Sequence, residues 1–234
     1  MAKKLSLILG LLAGTLLAAS PAVTSPLVGA PQITAQQQVS PSETPPKTTD
    51  ATLTLEDLPP GFQELPPEIT AQIASQFQTL VQQVSQQSVK PDKFTAFVNP
   101  QNFQLIVAFT GKLPDTAGQA QFDASLQQLQ QPQVQQQLKT RLQQMLQAYQ
   151  GIKVVDYQPL TELYSLANAS TGLTLAVDMQ GQPLRMDAAV FRRNAVGAFT
   201  VVTYVNGNKP TIGVGDVARK LDGKILQSSP SANR

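Results

Sequence analysis

Asp178 and Asp187 stand on either side of Gln180-Gly181-Gln182-Pro183, a run that reads as a tight turn between two strands. If the ladder brings them together, two neighbouring carboxylates shift each other's pKa or hold a hard cation. Arg185, Arg192 and Arg193 are close enough in sequence to neutralise them, so surface ion pairing is the competing expectation. Gly213-Val214-Gly215-Asp216 is a second candidate, because a glycine turn opening a helix presents N–H groups to an anion. It lacks the Lys-Ser/Thr of a P-loop and follows no buried parallel strand. The simpler role for Asp216 is that of a first-turn acid or N-cap. Ser125, Ser165 and Ser170 sit in no Gly-x-Ser-x-Gly elbow. Asn168-Ala169-Ser170 matches the glycosylation sequon, a match that chance explains.

The chain of 234 residues contains no His, Cys or Trp. Without His there is no Ser–His–Asp triad and no ordinary zinc or haem ligand set. Without Cys there is no disulfide, thiol nucleophile or zinc ribbon. No catalytic, cofactor-binding or metal-binding residue is assigned, and an enzyme is the third-ranked expectation. Lys3 and Lys4 belong to a leader, and removing these two from the 17 basic residues leaves 15 against 15 acidic ones. A net charge of zero does not suit a grip on nucleic-acid phosphates. The balance is uneven along the chain, however. Residues 151–234 carry nine basic and six acidic side chains, whereas residues 51–150 are net −2. Arg192, Arg193, Lys209, Arg219, Lys220 and Lys224 make a candidate basic face. Arg192, Arg193, Arg219 and Lys220 are the four expected to meet an acidic protein or anionic lipid headgroups.

The elements that carry these groups follow from composition and periodicity. Residues 1–22 read as a Sec-type signal peptide: Lys3 and Lys4, an apolar run from Leu5 to Leu17, then Ser20-Pro21-Ala22. An uncleaved anchor is the alternative, although the run is short of the about 20 residues a span needs. Residues 23–52 are rich in Pro, Ser, Thr and Gln and predict a disordered linker. One domain is expected over 53–227, with a frayed tail at 228–234.

Inside that domain, Ile69, Ile73, Phe77, Leu80, Val81 and Val84 form one apolar stripe, predicting a helix over 67–87. Strands are expected at 93–99 and 102–110, joined by Asn99-Pro100-Gln101-Asn102, with Phe103, Leu105, Val107 and Phe109 on one face. Apolar residues on its other face make the second strand central. A Gln-rich helical region follows over 115–149, interrupted by Pro132: two helices, or one sharply kinked. The 32 Gln of the chain supply polar helix faces that Lys and Glu usually supply. Strands are then expected at 152–158, 162–168, 172–179, 184–193 and 196–205, the last three as an antiparallel meander, before a closing helix over 214–226. The pattern is α+β: an antiparallel sheet flanked by helices on one or both faces.

Two segments resemble a known group. Leu58-Pro59-Pro60-Gly61-Phe62 resembles the "LPPGF" opening of secreted cyanobacterial and actinobacterial proteins. Phe191-Arg192-Arg193-Asn194 and Asp216-Val217-Ala218-Arg219-Lys220-Leu221-Asp222 are similar to their "FRRG" and "D-x-ARKLD" ending, with Asn194 where that form has Gly. The element order is similar to the PsbP-like fold of lumenal photosystem accessory proteins and actinobacterial envelope lipoproteins. The resemblance implies a non-catalytic binding role, a protein partner or membrane complex, and a place in the periplasm or thylakoid lumen. The alternative expectation is a carrier holding an apolar ligand in a pocket lined by Phe103, Leu105, Phe109 or Phe122.

Overall fold

The computed structural model describes residues 51–84, 92–147 and 152–228. The leader, most of the linker, residues 85–87 of the first expected helix and nearly all of the tail lie outside them. Seven strands form one antiparallel sheet: β1 (Gln63–Glu64), β2 (Lys93–Asn99), β3 (Gln104–Lys112), β4 (Ile152–Pro159), β5 (Ala169–Met179), β6 (Gln182–Arg193) and β7 (Val196–Val205). Their spatial order is β1-β2-β3-β7-β6-β5-β4. Helices α1 (Pro67–Val84), α2 (Thr116–Leu129), α3 (Pro132–Gln147) and α4 (Val214–Ser228) complete the α+β domain. The chain leaves β3 in the middle, crosses one face through α2 and α3 to the far edge, and walks back strand by strand until β7 meets β3.

Both faces of the sheet are covered. On the first, Leu105, Val107 and Phe109 of β3, Leu173, Leu175 and Val177 of β5 and Met186, Ala188 and Val190 of β6 pack under Ile73 of α1, Phe122, Leu126 and Leu129 of α2 and Leu138 and Leu142 of α3. On the second, Ile106, Ala108, Ala189, Phe191 and Val202 pack under Val217, Leu221 and Ile225 of α4 and under an N-terminal strap containing Leu53, Leu58 and Phe62. Helices on both faces bury alternate residues of one strand in two separate cores, so β3 is apolar from Leu105 to Phe109. The interruption at Pro132 is resolved as two helices, with Gln130 and Gln131 between them. Proline lacks the N–H of a helix interior but fits a helix start, and α3 begins on it.

Three expectations change. Residues 162–168 are not a strand: Thr161–Leu163 form a 3-10 turn, and β5 starts at Ala169. The cause is Gly172, whose missing side chain leaves room for Leu163 and Leu160 to lie on the sheet. Ser170 Oγ accepts the Leu166 amide and holds the loop there, so the hydroxyl of the sequon is spent inside the fold. The β2–β3 turn also sits one residue later than expected. Asn102 Oδ1 accepts the Gln104 amide, Phe103 takes the left-handed backbone conformation, and β3 begins at Gln104. Phe103 is thus removed from the face it was expected to share, and is 74% exposed. Finally, order extends before residue 53: Ala51 is buried and its carbonyl accepts the Thr110 hydroxyl at 3.1 Å.

A Cβ on Gly172 would lie 2.6 Å from Leu163 Cδ1 and 3.2 Å from the Ala188 carbonyl oxygen. Gly172→Val is therefore expected to cost about 1–3 kcal/mol by overpacking. Gly223, inside α4, meets nothing within 4 Å of an added Cβ, and Gly223→Ala is expected to stabilise by about 0.5–1 kcal/mol. Urea unfolding of both variants measures the two signs together.

Candidate functional site

The two aspartates of the β5–β6 hairpin do not pair. The register sets Asp178 opposite Pro183 and Asp187 opposite Thr174. Asp178 serves the turn: its Oδ1 accepts the Gly181 amide at 2.8 Å, in a two-residue loop where Gln180 and Gly181 both have positive φ. Asp187 is the centre of a separate network on the second face. Its Oδ1 accepts Thr174 Oγ1 at 2.5 Å and its Oδ2 accepts the Tyr204 hydroxyl at 2.8 Å. Arg185 Nε donates to Thr174 Oγ1 and lies 3.5 Å from Asp187 Oδ1. Burial pushes the Tyr204 phenol up, and the Asp187 carboxylate adds to that. Every oxygen of Asp187 thus has a donor, which describes a structural brace across β5, β6 and β7. Among the described residues, no cluster of three or more acidic side chains is placed to hold a metal ion.

Arg192 and Arg193 are adjacent on β6, so the pleat sends them to opposite faces of the sheet. Arg192 reaches α2, where Nε and Nη2 donate to Asp123 Oδ1 at 2.6 Å and Oδ2 at 2.5 Å. Arg193 reaches α4, where Nε and Nη2 donate to Asp222 Oδ1 at 2.6 Å and Oδ2 at 2.7 Å. Both are forked, bidentate pairs, and the second is largely enclosed, with side chains 22% and 11% exposed. The four cations selected from the sequence therefore do not form one face. Arg192 lies across the sheet from the other three, and Arg193 is committed to Asp222.

The strap is fixed to α4 in the same way. Lys224 Nζ lies 2.7 Å from Asp57 Oδ2, and Asp57 also accepts the Thr54 amide at 2.7 Å. Burial alone would raise the Asp57 carboxyl, but the bonds from Lys224 and Thr54 outweigh it and hold the group below its ordinary 3.8. Asp216 stands in the first turn of α4 and faces Arg219 at 3.5 Å, both of them well exposed. Exposed pairs of this kind contribute about 0–1 kcal/mol and leave Arg219 open to another anion. Arg219 and Lys220 are both exposed on the outer face of α4, and Leu226 further along is 49% exposed.

The pocket expected for a carrier is not built from its four residues. Phe103 points into solvent, while Leu105, Phe109 and Phe122 are packed in the first core. There Phe109 and Phe199 pack with tilted rings, their centroids 5.3 Å apart. Among the described residues no helix is long and apolar enough to cross a membrane. In comparison with known proteins, no family model matches the chain and no curated protein matches it significantly.

Removing one partner from a mostly enclosed pair strands the other charge. Asp222→Asn and Arg193→Gln are each expected to cost about 2–3 kcal/mol, and the double variant less than their sum. Thermal unfolding of the full cycle measures the coupling, and strict additivity contradicts it. For Asp57 the sign is that of a depressed acid. Its contribution is present above pH 3.8 and is lost as pH falls through the lower folded value. Asp57→Asn is expected to be less stable than the parent at pH 7, with the gap closing under strong acid.

Proposed function

We propose that this protein is an exported, non-enzymatic binding or assembly-accessory domain that docks on a membrane or photosynthetic complex through the outer face of α4. The observation that carries the reading is the division of labour among the cations. Arg185, Arg192, Arg193 and Lys224 face internal carboxylates, so the positive excess of residues 151–234 is displayed by groups such as Arg219 and Lys220 on α4. A rigid helix with exposed cations suits an acidic partner, attracting it at long range and fixing its register. Export to the periplasm or thylakoid lumen is supported by the leader-like residues 1–22, and the accessory role by the LPPGF and ARKLD resemblance.

The non-enzymatic part of the reading is supported by Asp178 and Asp187, the best carboxylate candidates, each being occupied with holding a turn or a strand. Of the four cations, Arg219 and Lys220 remain as docking contacts. Charge reversal at both, Arg219→Glu with Lys220→Glu, is expected to weaken association about tenfold or more while leaving the unfolding temperature within a few degrees. The measurement is co-migration with a membrane complex on a native gel, at low and moderate salt. Undiminished co-migration of the double variant contradicts the assignment, as does a wild-type complex that salt does not weaken.

A further inference from the structure

The end of the sheet carrying the β2–β3 turn is built around side-chain amides. Asn99 Oδ1 accepts the Gln101 amide at 3.0 Å, and Asn102 Oδ1 accepts that of Gln104 at 3.2 Å. Asn102 Nδ2 donates to Thr211 Oγ1. Gln104 is fully buried and uses both ends of its amide: Nε2 donates to the Ile212 carbonyl at 2.7 Å, and Oε1 accepts the Thr211 amide at 2.8 Å. These bonds lock the turn to the loop that enters α4. On this pedestal stands Phe103, 74% exposed with φ 55°. An aromatic residue adopts left-handed backbone only at a cost, and such strain marks places where a side chain is being presented.

The surroundings of Phe103 say what it meets. Gln101, Asn102 and Thr211 are polar, and Lys209, two residues from Thr211, is an exposed cation. A partner that offers an apolar layer directly beneath polar, anionic groups complements this arrangement. That order is the chemistry of an anionic bilayer, with phosphates above and acyl chains below. We propose that the Phe103 tip inserts into an anionic lipid surface, the ring entering the headgroup–acyl boundary and Lys209 meeting a lipid phosphate. This goes beyond docking through α4 and uses different residues. One aromatic and one cation make a weak, reversible contact, suited to a protein whose main hold is elsewhere.

The chain contains no Trp, so Phe103→Trp installs the sole tryptophan of the full-length protein at the tip, excitable separately from the four Tyr. The reporter reads the tip itself, whatever residues 1–22 do. With vesicles of phosphatidylglycerol and phosphatidylcholine, the emission is expected to shift to the blue and to be quenched by brominated acyl chains. In the same Phe103→Trp background, Lys209→Glu is expected to weaken partitioning about fivefold or more. Phe103→Ser, read by vesicle sedimentation against the same leader, is expected to remove the tip's share of binding, about tenfold or more. An unshifted spectrum with these vesicles overturns the proposal. An equal shift with pure phosphatidylcholine overturns its anionic half. A shift only when an isolated membrane complex is added replaces the lipid with a protein pocket. Arg219→Glu with Lys220→Glu, combined with Phe103→Trp, keeps the readings apart: if the vesicle shift survives while co-migration is lost, both stand on their own residues.

Discussion

Two consecutive arginines on one strand fix how the two helical layers of this fold sit against its sheet. A pleated strand turns each residue to the face opposite its neighbour, so Arg192 and Arg193 leave β6 in opposite directions from nearly the same point. Each ends in a two-point bond to a helix carboxylate, Asp123 on α2 and Asp222 on α4. The central sheet is thus tied to both of its helical layers at one level. Apolar burial supplies most of the driving force for that layering, but it is non-directional. The guanidinium forks add what burial lacks, a fixed rotation and height for each helix against the sheet. The strap obtains its place from the helix in turn, through Lys224 and Asp57.

This arrangement also decides what the surface can do. Cations that look available in sequence are consumed in positioning α2, α4 and the strap. At the surface stand a helix face bearing Arg219 and Lys220, further exposed cations such as Lys153 and Lys209 and, at the end of the sheet, a rigid turn carrying Phe103. The residues behind the LPPGF and ARKLD resemblance divide in the same way. Leu58, Phe62, Ala218, Leu221 and Asp222 are buried members of the second core or its brace, and within those motifs Arg219 and Lys220 stand at the surface. Asn194, in the place of Gly, keeps the left-handed backbone of the β6–β7 turn, and its amide is held by Asn168 Oδ1 at 2.8 Å. Asn is the side chain that tolerates that conformation best.

Much of the fold was legible because its elements are periodic. The apolar stripes of α2 and α4, the described part of those in α1 (Ile69, Ile73) and α3 (Leu138, Leu142), the two-sided apolar pattern of β3 and the Gln180-Gly181 turn each state a local rule, and the structure follows it. The misses arise where a distant contact overrides such a rule. Residues 162–168 are expected as a strand, yet the absent side chain of Gly172 lets Leu160 and Leu163 fold down over β5. Phe103 fits the apolar phase of β3, but Asn102 takes the next amide but one and moves the turn by a residue. The partners of Arg192 and Arg193 lie 69 and 29 residues away, beyond any spacing rule. One part of that error was avoidable, since strand parity alone forbids adjacent residues of β6 from sharing a basic face.

Hydrogen–deuterium exchange of Arg192→Gln and Arg193→Gln, each compared with the parent protein, tests this account most directly. Arg192→Gln should speed exchange in α2 and leave α4 protected, while Arg193→Gln should loosen α4 and the strap at residues 51–62 and leave α2 unchanged. Loosening of the same helix by both variants, or of neither helix by either, would contradict the claim that the two arginines hold the two layers separately.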